Sequence, residues 1–165
     1  MFRRDEMLEQ LRRKPTFDII VVGGGATGLG AAVEAARRGH RTVLLEAADF
    51  AQGTSSRSTK LVHGGVRYLR SGQIKMVREA LHERERLLRN ASAIVHPLRF
   101  IIPSFQRGGR WYYYGGLKAY DWLAGRTQLP PTELLGREQC ARLLPQLEPA
   151  GLRGGVAFSD GQFDD

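Results

Sequence analysis

The spacing of apolar residues changes along the chain, and each change marks an element. In residues 1–15 (MFRRDEMLEQLRRKP), Phe2, Leu8 and Leu11 fall loosely on one helical face among charges, and Pro15, which lacks an N–H, closes the helix. Residues 17–25 (FDIIVVGGG) then place Ile19, Ile20, Val21 and Val22 in a run without polar alternation. That pattern predicts a strand covered on both faces, as in a parallel sheet. Residues 27–38 (TGLGAAVEAARR) predict an alanine-rich helix stopped by Gly39, and Thr42–Leu45 a second strand ending at Glu46. Strand, helix and strand within about 30 residues make a βαβ unit.

Downstream, residues 53–72 (GTSSRSTKLVHGGVRYLRSG) have no apolar period and read as an ordered loop rich in hydroxyls, glycines and cations. From Ile74 to Asn90 the period becomes helical, with Ile74, Val77, Leu81 and Leu88 on one face. Within that helix the ERER run at 83–86 alternates in sign, which predicts a solvated face and not a nucleic-acid patch. Leu98–Ile102 before Pro103 reads as a strand, and residues 111–124 (WYYYGGLKAYDWLA) as an aromatic segment, helical from Gly116. Residues 125–151, punctuated by four prolines, read as connection around a short helix at Arg137–Leu144, and Gly155–Ser159 as a last strand. There is no internal repeat.

Composition narrows the class. The chain has 165 residues, 25 Lys and Arg against 17 Asp and Glu, and a net charge of +8, which favours anionic partners such as phosphate-bearing ligands, nucleic acid or acidic lipid. A single cysteine, Cys140, excludes an internal disulfide and a multi-cysteine metal site, and it suits a reducing compartment. No apolar run reaches the roughly 18 residues of a membrane span, and the acidic residues near the N-terminus do not suit an export signal. A soluble or membrane-surface protein is expected, cytoplasmic or peripheral at the inner face of the cytoplasmic membrane.

The chemistry sits in Gly23, Gly25 and Gly28, a G-x-G-x-x-G run between strand and helix. The first glycine permits a tight turn, the second lets a pyrophosphate approach the backbone, and the third lets helix and strand lie close. The phosphates then meet unpaired N–H groups at the positive end of the helix. Glu46 follows Gly25 by 21 residues, where a carboxylate accepts from a ribose 2′-OH and repels a 2′-phosphate, so NADP is disfavoured. No G-K-[S/T] follows the glycines, so a triphosphate P-loop does not fit. The fingerprint alone does not choose between NAD and FAD. Residues 54–60 (TSSRSTK) could wrap a diphosphate from its other side or form a plain polar surface loop, and His63-Gly64-Gly65 offers backbone that a flat ring can approach.

The runs VVGGGATGLGAAVEAARRG and LLEAADFAQGTSSRSTKLVHGGVRYL closely resemble the FAD-dependent glycerol-3-phosphate dehydrogenases, within the wider family of flavoproteins related to D-amino-acid oxidase. MVREALHERERLL, PLRFIIP, YDWLAGR and FSDGQFDD extend the resemblance over roughly Phe17 to Asp165. The resemblance implies an α/β fold, a Rossmann-like FAD-binding βαβ unit of a two-domain flavoprotein, incomplete in this chain. Residues 1–16 would be a charged extension and 17–165 the N-terminal portion of the FAD-binding oxidoreductase domain. It implies cofactor contacts from Gly23, Gly24, Gly25, Thr27 and Gly28 at the pyrophosphate, and from Glu46 at the ribose. Ser55, Ser56, Lys60, Leu61 and His63 would line the cofactor towards the flavin, and Arg67 and Tyr68 would face the substrate phosphate and the flavin pocket. A guanidinium suits phosphate on its own merits, through its two-pronged fork; the plainer roles are a surface cation for Arg67 and a core aromatic for Tyr68. His63 reads as a flavin contact and not a base, and His82 and His96 as structural. The aromatics Trp111, Tyr112, Tyr113, Tyr114, Tyr120 and Trp122 read as packing, with an interfacial membrane belt as the competing role.

The activity implied is oxidation of sn-glycerol 3-phosphate to dihydroxyacetone phosphate, with electrons passed to a quinone. Family members run to several hundred residues, so this chain is expected to be inactive alone, and no catalytic base or metal ligand is assigned. Another FAD-dependent amine or hydroxy-acid oxidase is the alternative, and a non-catalytic nucleotide-binding fragment a second one. A nucleic-acid partner is not expected, because the aromatics are not interleaved with the cations.

Overall fold

Ile19–Val22 forms β1 and pairs in parallel with β2, Thr42–Leu45, from Ile19 opposite Thr42 to Val22 opposite Leu45. The helix between them, α2, spans Ala26–Arg37 and ends as the sequence predicts. Gly39 takes a left-handed φ of +86°, the Gly39 N–H donates to Ala36 O and the His40 N–H to Ala35 O, which satisfies the last carbonyls. Asp18 clips the starts of both strands, accepting from the Arg41 guanidinium at 2.9 and 3.2 Å and from the Arg41 backbone N–H at 2.8 Å. These hydrogen bonds, the guanidinium's foremost, hold the Asp18 carboxyl at about 2.

The computed structural model describes residues 3–13 and 16–164. They form two compact units, Met1–Thr59 and Lys60–Asp165. The first contains the βαβ unit and α1, Arg4–Arg13, a charged helix with no buried residue. The expected helix ends at Phe2 and Pro15 lie outside the described residues. β1 departs from expectation. Ile19 and Val21 are half-buried, but Ile20 and Val22 are 61% and 83% exposed. The run lacks polar alternation, yet only one of its faces is covered.

The second unit is built on an antiparallel sheet. Its central strand, β6 (Gly155–Phe163), pairs along all nine residues with β4 (Val95–Pro103), both longer than the expected strands. The other edge of β6 is shared by β3 (Leu61–Val62) and β5 (Glu133–Leu135). Pro97 and Pro103 are tolerated because β4 is an edge strand. The expected loop at 53–72 is more structured than its composition suggests. It holds a 3-10 turn at Thr54–Arg57, β3, and the short helix α3 at Val66–Arg70. β5 and α6 (Arg137–Leu143) stand in the expected connection.

Helix α4 has the expected bounds, Ile74–Asn90. Val77 and Leu81 pack with Tyr120 and Ala124 of α5, Gly109–Ala124, and Leu88 packs with Val95 and Leu129. Full burial of one such aliphatic side chain contributes about 1.5–3 kcal/mol. Two expectations fail here. The ERER run is not a solvated face. Arg84 and Glu85 are 2% and 6% exposed, because positions 77, 81, 84, 85 and 88 share one side of the helix, and only Glu83 and Arg86 pair outside it. Helix α5 begins at Gly109 and not at Gly116, since contacts of Leu117, Tyr120 and Ala124 with the core override the weak propensity of Gly115-Gly116. Of its aromatics, only Tyr120 is buried and Tyr114 half-buried; Trp111, Tyr112, Tyr113 and Trp122 are exposed, so packing does not account for them.

Candidate functional site

The glycine run forms a tight turn between β1 and α2. Gly23 takes φ +101°, a conformation open to glycine and strained for other residues, and its N–H donates to Leu45 O at 2.8 Å. Gly28 is required by close approach: a Cβ there would collide with the Gly23 carbonyl oxygen. Gly25 is different. It has φ −77°, and a Cβ there would meet nothing nearer than Gly53 Cα at 4.0 Å. The fold itself therefore tolerates a side chain at Gly25.

Gly25 is also the N-cap of α2, and it supplies no side-chain hydrogen bond. The first-turn N–H groups, Thr27 and Gly28 among them, have no partner within the helix, and the first turn has no acidic residue. An N-terminus of this kind is electrostatically suited to a diphosphate. Glu46 leaves the end of β2 and closes over the turn. Its Oε2 accepts from the Gly24 N–H at 2.7 Å and its Oε1 from the Ala48 N–H at 3.0 Å. The Ala48 and Gly24 N–H groups hold its carboxyl below the ordinary range, so it is ionised at neutral pH. Each oxygen retains acceptor capacity for a ribose hydroxyl. A dinucleotide-type cofactor thus fits the turn on three counts: open backbone at Gly25, an uncapped helix start, and an anchored carboxylate.

The serine-rich turn approaches the same place, with Gly25 and Gly53 backbone to backbone and the Ala51 N–H donating to Gly24 O at 2.8 Å. Ser55 and Ser56 lie on the 3-10 turn that follows Gly53; Ser55 is exposed, and the Ser56 hydroxyl donates to Gly53 O at 2.8 Å. The first unit therefore brings together Gly23, Gly24, Gly25, Thr27, Gly28, Glu46 and the Ser55–Ser56 turn.

The other expected residues belong to the second unit. Lys60 is half-buried with a left-handed φ of +59°, and Leu61 pairs with Gln162 in the sheet. His63 is exposed, and its Nδ1 accepts from the Gly65 N–H at 3.0 Å. Gly64 and Gly65 are buried, and Gly65 starts α3 in a left-handed conformation with φ +71°. Arg67 and Tyr68 are exposed on α3, so neither is a core residue. Arg67 lines an apolar hollow of about 590 Å3 together with Leu69, Ile102, Tyr112, Tyr113 and Leu117.

Sequence reasoning missed the groups beneath this segment. The Gly64 N–H donates to Tyr120 Oη at 2.7 Å, Tyr120 donates to Asp160 Oδ2 at 3.0 Å, and Arg84 Nη1 donates to Asp160 Oδ1 at 2.7 Å. Arg84 also donates to Glu85 Oε1 at 3.2 Å, and Glu85 accepts from Thr127 Oγ1. Burial and the Asp160 charge push the Tyr120 hydroxyl far above its ordinary value, so it stays protonated. The helical phase of positions 77, 81, 84, 85 and 88 could have pointed to Arg84 and Glu85. Among the described residues no cluster of His, Cys, Asp and Glu could hold a metal ion, and no helix is long and apolar enough to cross a membrane.

Comparison with known proteins sets these features in a family. A family profile described as FAD dependent oxidoreductase matches residues 18–165. The chain is 43% identical to mitochondrial glycerol-3-phosphate dehydrogenase of Mus musculus, covering 98% of this chain and 23% of that one. It is 41% identical to a probable mitochondrial glycerol-3-phosphate dehydrogenase of Caenorhabditis elegans at the same coverage. Among solved structures, glycerol-3-phosphate dehydrogenase from Bacillus halodurans complexed with FAD aligns with a TM-score of 0.66 and 31% identity, over 98% of this chain and 24% of that one. Glycine oxidase from Geobacillus kaustophilus, 23% identical with a TM-score of 0.61, shares the fold. The chain thus spans about a quarter of the length of the glycerol-3-phosphate dehydrogenases it matches.

Proposed function

The chain belongs to the FAD dependent oxidoreductase family, and from that premise we propose that it is the FAD-binding part of an enzyme that oxidises sn-glycerol 3-phosphate to dihydroxyacetone phosphate and delivers electrons to a quinone. The observation that carries a dinucleotide cofactor is the open turn at Gly25, capped by no side chain and closed by Glu46, and the family match supports FAD as that cofactor. Identity of 40–43% to glycerol-3-phosphate dehydrogenases supports the substrate.

In this reading residues 17–165 belong to the FAD-binding domain and 1–16 are an extension. Gly25, Thr27 and Gly28 present backbone N–H groups to the pyrophosphate, Gly23 and Gly24 shape the turn beneath it with their own N–H groups held by Leu45 O and Glu46 Oε2, and Glu46 accepts from the adenosine ribose. Ser55, Ser56, Lys60, Leu61 and His63 line the way to the flavin. Arg67 binds the substrate phosphate through a two-pronged hydrogen-bonded pair, with Tyr68 beside it at the flavin pocket. When bound, FAD supplies the hydride acceptor. The protein's own part is to orient and to neutralise: cations at Lys60 and Arg67 offset phosphate charge, and the buried Gly64–Gly65 backbone gives a surface that a flat ring can approach. A quinone acceptor calls for peripheral contact with a membrane, and for a cytoplasmic protein that contact is at the inner face of the cytoplasmic membrane.

The test is direct. Flavin released from the purified protein should be FAD, and anaerobic glycerol 3-phosphate should bleach the visible flavin band in a protein that carries this region at the length of its relatives. Bleaching by an amine or hydroxy acid and not by glycerol 3-phosphate overturns the substrate. Failure to bind FAD overturns the whole reading.

A further inference from the structure

The buried polar groups of the second unit converge on the turn at His63, Gly64 and Gly65, and the flavin reading leaves them without a task. Their hydrogen-bond directions follow from chemistry. The Gly64 N–H can only donate, so Tyr120 Oη accepts from it at 2.7 Å and must send its own proton to Asp160 Oδ2 at 3.0 Å. Asp160 is therefore an acceptor on both oxygens, and Arg84 fills the second at 2.7 Å while lying over the Tyr120 ring at 5.9 Å. Donation thus runs from the amide through the hydroxyl to Asp160, where the donation from Arg84 meets it from the other side.

Stability alone is a poor reason for this arrangement. A buried ion pair contributes little net stability compared with apolar side chains of similar volume, and Arg84 Nε, fully buried, has no hydrogen-bond partner. What the arrangement does fix is place. A Cβ at Gly64 would collide with Leu81 and stand 2.6 Å from the Tyr120 oxygen, so the Gly64 backbone lies directly on these side chains. The next residue, Gly65, is the left-handed start of α3, which carries Arg67 and Tyr68. The hydroxyl of Tyr120 thus sets the last fixed point before the segment expected to meet flavin and phosphate.

We infer that Tyr120, oriented by Asp160 and Arg84, is a positioning residue for the flavin-facing His63–Gly65 turn and, through α3, for Arg67 and Tyr68; the inference rests on the flavin reading above. Tyr120→Phe is the sharp test, because it keeps the ring under Arg84 and removes only the hydroxyl. Two readouts are needed: hydrogen exchange of the Gly64 amide without cofactor, and FAD affinity with the visible circular dichroism of bound flavin. In Tyr120→Phe, Gly64 exchange should accelerate tenfold or more, FAD should bind about tenfold more weakly, as for one lost hydrogen bond, and the flavin dichroism should change. Faster exchange with wild-type FAD affinity and dichroism overturns the inference and leaves Tyr120 a purely structural group. Unchanged Gly64 exchange also overturns it. A wild-type protein that binds no FAD overturns the flavin reading instead, and the two failures are distinct. Should Tyr120→Phe not fold, the wild-type protein still decides: a Gly64 amide that exchanges as fast as an exposed loop amide, or whose exchange FAD leaves unchanged, contradicts the inference, and protection that FAD binding deepens supports it.

Discussion

The two units differ in how much they bury, and their glycines serve different ends. Among the described residues of the first unit, Ala35 is the one hydrophobic side chain counted as core, and β1 shows Ile20 and Val22 to solvent. The second unit holds four hydrophobic clusters and closes its polar groups on one another through Tyr120, Asp160, Arg84 and Glu85. Gly64 is a glycine because its neighbours leave no room, and Gly28 likewise. Gly25 has room, an ordinary φ, and no neighbour that demands a bare backbone. A glycine that the fold does not need, at an uncapped helix start, is best explained by something that must approach it. The comparison therefore separates Gly28 and Gly64, which packing requires, from Gly25, which it does not.

Substitution can break or sharpen that distinction. The largest effect is expected at Gly25. A valine there displaces a diphosphate from two or three N–H donors, each charge-assisted bond worth about 1.5–3 kcal/mol, so FAD affinity should fall about a thousandfold or more. Far-ultraviolet circular dichroism should not change, and retained FAD binding in a folded Gly25→Val protein would break the distinction. Next comes Arg84→Ala in the second unit. It strands Asp160 and Glu85 as buried carboxylates and should lower stability by about 3–5 kcal/mol in denaturant titration; a loss below about 1 kcal/mol would show that the pair is not buried as described.

Gly28→Ala comes third, with a cost of about 1–3 kcal/mol as α2 shifts to relieve the collision with the Gly23 carbonyl. Unlike Gly25→Val it should perturb the fold of the first unit and FAD binding together, which parallel dichroism and FAD titrations would reveal. The smallest effect is Asp18→Asn. The Asp18 carboxyl is lowered in the folded chain from its ordinary 3.8 to about 2 by Arg41. A lowered value stabilises the folded state above the ordinary value, and that contribution fades as pH falls from about 4 towards 2. Asp18→Asn should slightly lower the neutral-pH Tm and flatten this part of the acid profile; an unchanged profile contradicts the clip.

What the sequence made legible was local. Ile19–Val22, the Gly39 stop, Thr42–Leu45 and the bounds of α4 depend on short-range periodicity and cap chemistry, and they stand where the pattern places them. The glycine turn and Glu46 are legible for the same reason. What escaped depends on distant partners. Burial of Arg84 requires Asp160, 76 residues away, and Tyr120 meets Gly64 across 56 residues. Three-residue β5 is a strand only because β6 is beside it. Exposure of Ile20 and Val22 likewise reflects what covers a face, which no periodicity states.

The central claim is that the turn between β1 and α2 receives the pyrophosphate of FAD. Hydrogen exchange with and without FAD tests it residue by residue. At a FAD concentration about a hundred times the dissociation constant, binding stabilises the folded state by about 2.7 kcal/mol, so the amides of Ala26, Thr27 and Gly28 should exchange about a hundredfold more slowly, and NADP at equal concentration should protect them less. Exchange at these three amides that FAD leaves unchanged, while flavin is demonstrably bound, would contradict the account.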